Sequence, residues 1–387
     1  MKIAVIGAKG IPAKFGGIER YCQELYPRIV ARGHQVDLYV QPCDRRHQWF
    51  YSFIYRKMKV IVLPSFSSRR LRWLNSAVNT VWATFGKYDV IHLHGITAAW
   101  FAWFPQLFAS SSLVVTCHQL EPSGFSSHKI LRRLLPWLEK LAVKNVDEII
   151  VTSQELASYF FRRYGVCPQY IANAPTKYTP NISNFSLRQA FGLDRHQYIL
   201  YVGNFEPDRG LDLLIEVFQK LQPDNWKLVL AGDIGNTVRC NIELLRMTQD
   251  RDNIIFTGEI GGNFLAELVR GAAVFVDPSN GQELASSVTM LEAMREGIPI
   301  VASDTLTHRQ LLGRDRGLLF DSGKLDSLQQ QLEYAISKPN LLLAMAKKAQ
   351  KYIAIHHNWD KVIYQNLFLY LQSTKMPFSP PSKPSRL

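Results

Sequence analysis

The chain has 387 residues, room for two domains of ordinary size, and its 47% hydrophobic against 20% charged residues exclude a collagen-like, largely disordered or multi-span membrane protein. Its formal net charge of +13 is lopsided: residues 1–174 hold 22 Lys and Arg against 10 Asp and Glu, while the remainder is almost balanced. A basic field confined to one half points to docking on an anionic surface or substrate, and no recognisable nucleic-acid-binding module accompanies it, so nucleic acid is not the expected partner.

From the amino end, Met1–Gly7 is a short apolar strand running into a glycine loop, which reads as the start of a fold rather than a signal peptide. Further β-branched runs predict strands at Gln35–Val40, Lys59–Leu63, Val90–Leu93, Leu113–Thr116, Glu148–Thr152 and Gln169–Ile171, with the first at Lys2–Ile6. Helix-length amphipathic stretches lie between them at Ile18–Arg32, Leu71–Phe85, Lys129–Val143 and Gln154–Tyr164. Ile96–Val115 is uncharged and long enough to raise a membrane span, but Pro105 and Ser110-Ser111-Ser112 divide it into a helix-length and a strand-length piece. In the second half strands are predicted at Tyr198–Val202, Trp226–Ala231, Asn253–Thr257, Ala273–Val276, Ile298–Ala302 and Gly317–Phe320. This alternation predicts an α/β chain whose parallel sheets are covered by helices on both faces.

The alternation is interrupted once, where Pro175, Pro180 and several Asn and Ser residues gather. The expected organisation is a doubly wound domain over residues 1–174, a linker over 175–194 and a second doubly wound domain over 195–355. A helix within 356–372 is expected to pack back on the first domain, and a proline- and serine-rich tail, 373–387, to be disordered. Two such domains leave a cleft facing the carboxyl ends of both sheets, where doubly wound folds bind ligands. The five cysteines form no CxxC or Cys/His cluster, which points to reduced cytosolic thiols with neither a disulfide framework nor a zinc site.

The first strand empties into Gly7-Ala8-Lys9-Gly10-Ile11-Pro12-Ala13-Lys14-Phe15-Gly16-Gly17-Ile18-Glu19. Gly16-Gly17 stands where a helix begins, so free N–H groups there suit a phosphate or a sugar hydroxyl; the alternative is that the glycines only shape a tight turn. The spacing is not GxGxxG, and the nearest acid beyond the second strand, Asp44, follows Pro42 and Cys43, which counts against a dinucleotide site.

Opening strand, Gly10-Ile11-Pro12, Gly16-Gly17-Ile18-Glu19 and Glu24-Leu25-Tyr26-Pro27 resemble the amino ends of retaining glycosyltransferases of family 4, two-domain enzymes that assemble bacterial surface polysaccharides. The resemblance continues in order through Asp89-Val90-Ile91-His92-Leu93-His94-Gly95, Val114-Val115-Thr116-Cys117-His118, Tyr201-Val202-Gly203, Leu291-Glu292-Ala293-Met294 and Gly297-Ile298-Pro299. It implies two Rossmann-like domains of GT-B type and metal-independent transfer of a hexose from a nucleotide sugar with retention, with no further cofactor. It also implies that the leaving diphosphate deprotonates the acceptor.

The resemblance further implies a basic pair gripping the donor diphosphate. Here the first place is held by Asn204 and the second by Arg209, which can clamp phosphate oxygens in a bidentate way or simply stand in solvent. Of the family's two glutamates eight residues apart, Glu292 fits the second, on the nucleotide ribose. Leu284 stands at the first place and Glu283 one residue earlier, so the first carboxylate, which by resemblance lies near the transferred sugar, is either displaced to Glu283 as a catalytic candidate or absent. Ser286 and Ser287, near the start of the helix, are candidates to hold the diphosphate. A purely structural role for Glu292 stays open, because Thr289-x-x-Glu292 reads as a capping box.

His118 ends an apolar strand and by resemblance lies beside the transferred sugar, while a satisfied buried histidine remains the alternative. His94 is preferred over His92 as a second cleft residue, and Gly16, Gly17, Glu19 and His94 together form the expected acceptor and phosphate loop. The stretch Arg45–Trp73 has eight Lys or Arg, no acid and many aromatics, and Lys129–Lys144 is amphipathic and basic. Both suit an anionic bilayer that presents a lipid-linked acceptor, unless they are solvated faces over a normal core. The expected function is sugar transfer to a saccharide, lipid-linked or free, in polysaccharide or glycolipid assembly, peripheral on the cytoplasmic face of a membrane. A sugar-nucleotide epimerase of similar fold and a non-catalytic relative that binds a sugar nucleotide or a membrane are the alternatives.

Overall fold

The computed structural model describes residues 1–13, 16–42, 50–64, 74–120, 129–176, 186–232, 238–249, 251–279 and 288–374. In the amino half run β1 (Lys2–Ile6), α1 (Gly17–Val30), β2 (Gln35–Val40), β3 (Tyr51–Tyr55), β4 (Met58–Val62), α2 (Leu74–Thr84), β5 (Val90–His94), α3 (Ile96–Ala99), α4 (Trp103–Phe108), β6 (Ser112–Cys117), α5 (Lys129–Lys144), β7 (Glu148–Val151), α6 (Gln154–Tyr164) and β8 (Gln169–Tyr170). These strands form one sheet in the order β3-β4-β2-β1-β5-β6-β7-β8, parallel except for β3.

The carboxyl half contributes α7 (Leu187–Ala190), β9 (Tyr198–Val202), α8 (Leu211–Leu221), β10 (Lys227–Ala231), α9 (Val238–Met247), β11 (Ile254–Gly258), α10 (Gly262–Gly271), β12 (Val274–Asp277), α11 (Val288–Arg295), β13 (Ile300–Ser303), α12 (Leu306–Leu312), β14 (Leu318–Phe320), α13 (Leu325–Ser337), α14 (Pro339–His356) and α15 (Trp359–Ser373). Its sheet has the order β11-β10-β9-β12-β13-β14 and is parallel throughout. The expected pair of doubly wound sheets is present.

The central strands show why continuous apolar runs were needed. Ile3 and Val5 of β1 enter one core layer and Ala4 and Ile6 the other, as period two requires of a strand covered on both faces. In β9, Tyr198 and Leu200 face one layer and Ile199 and Tyr201 the other. Helix limits follow from local chemistry. Ser153 caps α6 by accepting from Leu156 N at 3.1 Å, and Gly165 ends it at φ 68°.

Two expectations are corrected. The stretch Arg45–Trp73, where a single strand is expected, contains a hairpin: β3 pairs antiparallel with β4. The two-residue turn is Arg56-Lys57, both at positive φ (46° and 65°), so the usual Asn-Gly signal of such a turn is missing from the sequence. Residues 45–49 and 65–73 of that stretch lie outside the described residues, as does the tail beyond Thr374. Ile96–Val115 holds two short helices and a strand instead of one helix and a strand, and no described helix is long and apolar enough to cross a membrane.

The chain crosses between the sheets twice. After β8 it leaves through Asn173 and Pro175, and after α14 it returns so that α15 packs on α1. His357 Nδ1 donates to Asn173 O at 2.9 Å and Trp359 Nε1 to Pro175 O at 3.1 Å, so the two crossings lie side by side. Val362, Ile363, Leu369 and Tyr370 of α15 enter the core of the amino-terminal sheet with Leu25 and Tyr26, whereas Ala349 and Ile353 of α14 stay in the core of the other.

Candidate active site

In a doubly wound sheet the crevice opens where successive connections leave in opposite directions, outside the carboxyl ends of the strands. The strand orders put these points between β1 and β5 in one sheet and between β9 and β12 in the other. The first crevice is tight. A Cβ on Gly7, at φ 119°, would stand 2.2 Å from His94 O, so only glycine lets the end of β1 pass the end of β5.

Around the first crevice, Glu19 of α1 turns back on its own loop and accepts from Lys9 N at 2.9 Å. Its carboxylate also occupies the place that a side chain on Gly16 would take. The anion in front of this helix start is therefore the chain's own. Gly17 opens on empty space and is exposed.

His92 and His94 lie on one face of β5, their rings stacked at 4.3 Å, and both are buried. His94 Nδ1 lies 3.0 Å from Nε2 of the half-buried His118, and its Nε2 meets the Tyr26 hydroxyl. His94 thus stands behind His118 in the core instead of facing the cleft. Burial holds all three imidazoles below the usual histidine range, His92 at about 3 and His118 at about 4, with the neighbouring imidazoles adding to the shift at His92 and His94. They are neutral at pH 7.

On the second sheet, Asn204 follows β9 and is exposed, its carbonyl accepting from Tyr201 Oη at 2.9 Å. Arg209 closes a short 3-10 turn before α8. A Cβ on Gly210 would lie 2.4 Å from Pro278 O, so this turn is seated against the loop after β12. Asp277 at the end of β12 is buried; burial alone would raise its pKa, but His308, Arg209 and the Ser279 side chain together hold it below the carboxylate range. His308 Nε2 stands 3.6 Å from Asp277 Oδ2 and its Nδ1 donates to Ser303 O at 2.7 Å. Burial would lower the His308 pKa, and Asp277 and Ser303 outweigh it, so the net effect of this setting beside Arg209 is to favour the protonated imidazole.

The crevices face each other, and one ion pair spans them. Arg20 Nη1 of α1 lies 3.4 Å from both carboxylate oxygens of Glu292 on α11. Glu292 is 1% exposed and Arg20 24%. Thr289 lies inside α11, which overturns the capping-box reading: the Glu292 carboxylate is engaged across the cleft rather than at its own helix start. Glu283, Ser286 and Ser287 lie outside the described residues. Among the described residues no group of three His, Cys, Asp or Glu gathers to hold a metal ion.

Sequence reading missed Arg20, Tyr26, Asp277, His308 and Tyr370. Asp277 ends an apolar strand by the criterion that singled out His118, and the predicted strand stopped one residue short of it. Arg20 directly follows the Gly16-Gly17-Ile18-Glu19 motif, but its partner lies 272 residues away.

Residues 15–175 match Glycosyltransferase Family 4 and residues 184–352 match Glycosyl transferases group 1. The chain is 23% identical to an uncharacterized glycosyltransferase of Methanocaldococcus jannaschii, over 97% of this chain and 99% of the other. A phosphatidyl-myo-inositol mannosyltransferase of Mycobacterium leprae is 24% identical, over 92% of each. Among solved structures, sucrose-phosphate synthase from Thermosynechococcus elongatus superposes with a TM-score of 0.79 at 22% identity, over 96% of this chain and 98% of that one. HepE of Anabaena in complex with UDP-glucose gives 0.77 at 19% identity, over 96% and 100%. The fold is GT-B.

Two consequences are measurable. The unfolded chain protonates His92 and His94 below about pH 6.5 while the native chain does not, so stability is complete above that pH and falls as pH drops. Urea denaturation should show a loss of roughly 3 kcal/mol between pH 6.5 and 5 from these two residues, whereas a flat profile would mean they are not buried as neutral groups. Arg20→Met leaves the Glu292 carboxylate buried opposite an apolar chain and should cost about 2 kcal/mol, less than the ~3–5 of a closer buried pair. Adding Glu292→Gln should restore most of that loss in the same assay.

Proposed function

From a glycosyltransferase whose amino-terminal domain belongs to Family 4 and whose carboxyl-terminal domain belongs to group 1, we propose transfer of a sugar from a nucleotide-sugar donor to a lipid-linked saccharide acceptor, with retention of configuration, by a protein peripheral on the cytoplasmic face of a membrane. The observation that carries this reading is the apposition of the two crevices, with His118 on one side and Arg209 on the other, spanned by Arg20 and Glu292.

The donor lies along the carboxyl ends of β9 and β12. Arg209 offers a planar fork to diphosphate oxygens, Asn204 adds neutral hydrogen bonds, and Ser286 and Ser287 complete the grip at the start of α11. Glu292 accepts from the ribose hydroxyls, which requires its carboxylate to be shared with Arg20 or released by it. His118, neutral, hydrogen-bonds a hydroxyl of the transferred sugar, with Glu283 on the same sugar. The departing diphosphate takes the acceptor proton on the face it leaves, so no protein nucleophile is needed and the protein's share is positioning and electrostatics. The UDP-glucose complex of HepE supports a nucleotide sugar as donor.

The acceptor side rests on the outer surface of the first domain. Phe50 and Trp82 lie ring to ring at 5.7 Å, with Phe85 exposed just past the end of α2 and Leu107 and Phe108 exposed on the neighbouring α4. On α5, Arg133, Leu134, Trp137 and Lys140 are exposed at helical spacing along one side. Apolar and aromatic groups among cations, with exposed Arg56, Lys57 and Lys59 on the hairpin, fit the interface of an anionic bilayer.

Thermal-shift and calorimetric titration against UDP-, GDP-, ADP- and dTDP-sugars in EDTA should give saturable binding to one nucleotide family, weakened in Arg209→Ala and Glu292→Ala. His118→Ala should reduce transfer about a hundredfold while leaving donor affinity nearly intact; variants that all transfer like the parent would displace the site. Flotation with vesicles of phosphatidylglycerol and phosphatidylcholine should show binding lost about tenfold in Trp82→Ser/Trp137→Ser at an unchanged Tm. Equal binding of parent and variant would remove the membrane face.

A further inference from the structure

A continuous run of buried hydrogen-bonding side chains leads from His118 through the core to the carboxyl-terminal helix. His118 Nε2 meets His94 Nδ1 at 3.0 Å; His94 Nε2 meets the Tyr26 hydroxyl; and that hydroxyl lies 2.9 Å from His92 Nδ1. His92 Nδ1 also meets the Tyr370 hydroxyl, and its Nε2 lies 2.7 Å from Thr116 Oγ1. Tyr370 belongs to α15, the helix that returns from the other domain, and is buried.

Burial keeps all three imidazoles neutral, so each ring has one N–H and one bare nitrogen. Along such a run the direction of each bond dictates the next. Two phenol hydroxyls converge on His92 Nδ1, and with His92 Nε2–H donating to Thr116 Oγ1 that nitrogen accepts one proton. If Tyr370 supplies it, the Tyr26 proton is left for His94 Nε2. His94 must then carry its hydrogen on Nδ1 and donate it to His118 Nε2. His118 then bears its hydrogen on Nδ1, the ring nitrogen that makes no hydrogen bond among the described residues.

We infer that Tyr370, acting through His92, Tyr26 and His94, is a positioning residue that fixes the tautomer of His118 so that its Nδ1 donates a hydrogen bond into the cleft. The inference rests on the proposed place of His118 beside the transferred sugar. Without the Tyr370 hydroxyl, Tyr26 turns its proton to His92, His94 donates from Nε2 to Tyr26, and His118 donates from Nε2 to His94. Its Nδ1 is then a bare acceptor. The same helix that closes the fold over the amino-terminal sheet thereby decides which hydrogen-bonding face the site presents.

The test is long-range proton–nitrogen correlation NMR on the full chain labelled with nitrogen-15 histidine, with the His118 signals assigned against His118→Ala. The parent should show His118 as a single Nδ1–H tautomer, and Tyr370→Phe should convert it to the Nε2–H form. In the same variant kcat for transfer should fall about tenfold while donor affinity changes less than twofold. If Tyr370→Phe does not fold, Tyr26→Phe cuts the path with α15 intact, and His118 should then be a mixture of tautomers. A parent in the Nε2–H form, a single Nδ1–H form surviving in every variant, or an unchanged kcat after the tautomer reverses would each overturn the inference. A His118→Ala variant that transfers like the parent would instead sink the proposed place of His118, since the tautomer readout does not depend on it.

Discussion

The hydrogen bonds from His357 and Trp359 to the carbonyls of Asn173 and Pro175 hold the two inter-domain crossings together, and the cleft depends on them. They stand where α14 ends and α15 begins, a start capped by Asn358 accepting from Lys361 N at 2.9 Å, and from there α15 runs along α1. Through α15 the carboxyl end of the chain supplies Trp359, Val362, Ile363 and Tyr370 to the core of the amino-terminal domain. Through α1 the amino end supplies Arg20 to the carboxyl-terminal domain. Each half is therefore completed by a piece of the other.

The two walls of the cleft solve burial in opposite ways. On the amino-terminal side the imidazoles and phenols between His118 and Tyr370 are buried neutral and satisfy one another, so no cost of removing charge from water arises among them. On the carboxyl-terminal side charge is kept and compensated: Asp277 by His308 and Arg209, Glu292 by Arg20. That division matches what the proposed function asks the walls to hold. A sugar hydroxyl needs oriented neutral donors and acceptors, whereas a nucleoside diphosphate brings its own negative charge and needs cations held in place by buried carboxylates. The surface proposed for membrane attachment, with exposed aromatics and cations on α2, α4, α5 and the β3–β4 hairpin, is separate from both walls.

Much of the architecture was legible because it is periodic. Central parallel strands must be apolar on both faces, and β1, β2 and β9 have the limits that the apolar runs predict. The strand β3 was not legible, since its turn uses Arg56-Lys57 at positive φ where a sequence reader looks for Asn-Gly. Ile96–Val115 was only partly legible, because a single proline marks a break without stating how many helices surround it. Ordered motifs singled out His118, Arg209 and Glu292 as candidates, but residue type alone did not separate His94, turned into the core, from a residue facing the cleft.

The amino-acid sequence by itself determined the α/β class, the presence of two doubly wound halves and the strand ends at which ligands gather, because hydrophobic period and strand-end chemistry are local properties of the chain. The tertiary structure alone decided the partners: Arg20 with Glu292, Tyr370 with His92, Asp277 with His308. The first two pairs are separated by more than 270 residues and the third is joined only when β12 and α12 pack, so no spacing rule in the sequence contains them. They exist because buried polar groups must find partners inside the fold, and which partners lie within reach is set by how the sheets and the returning helix pack.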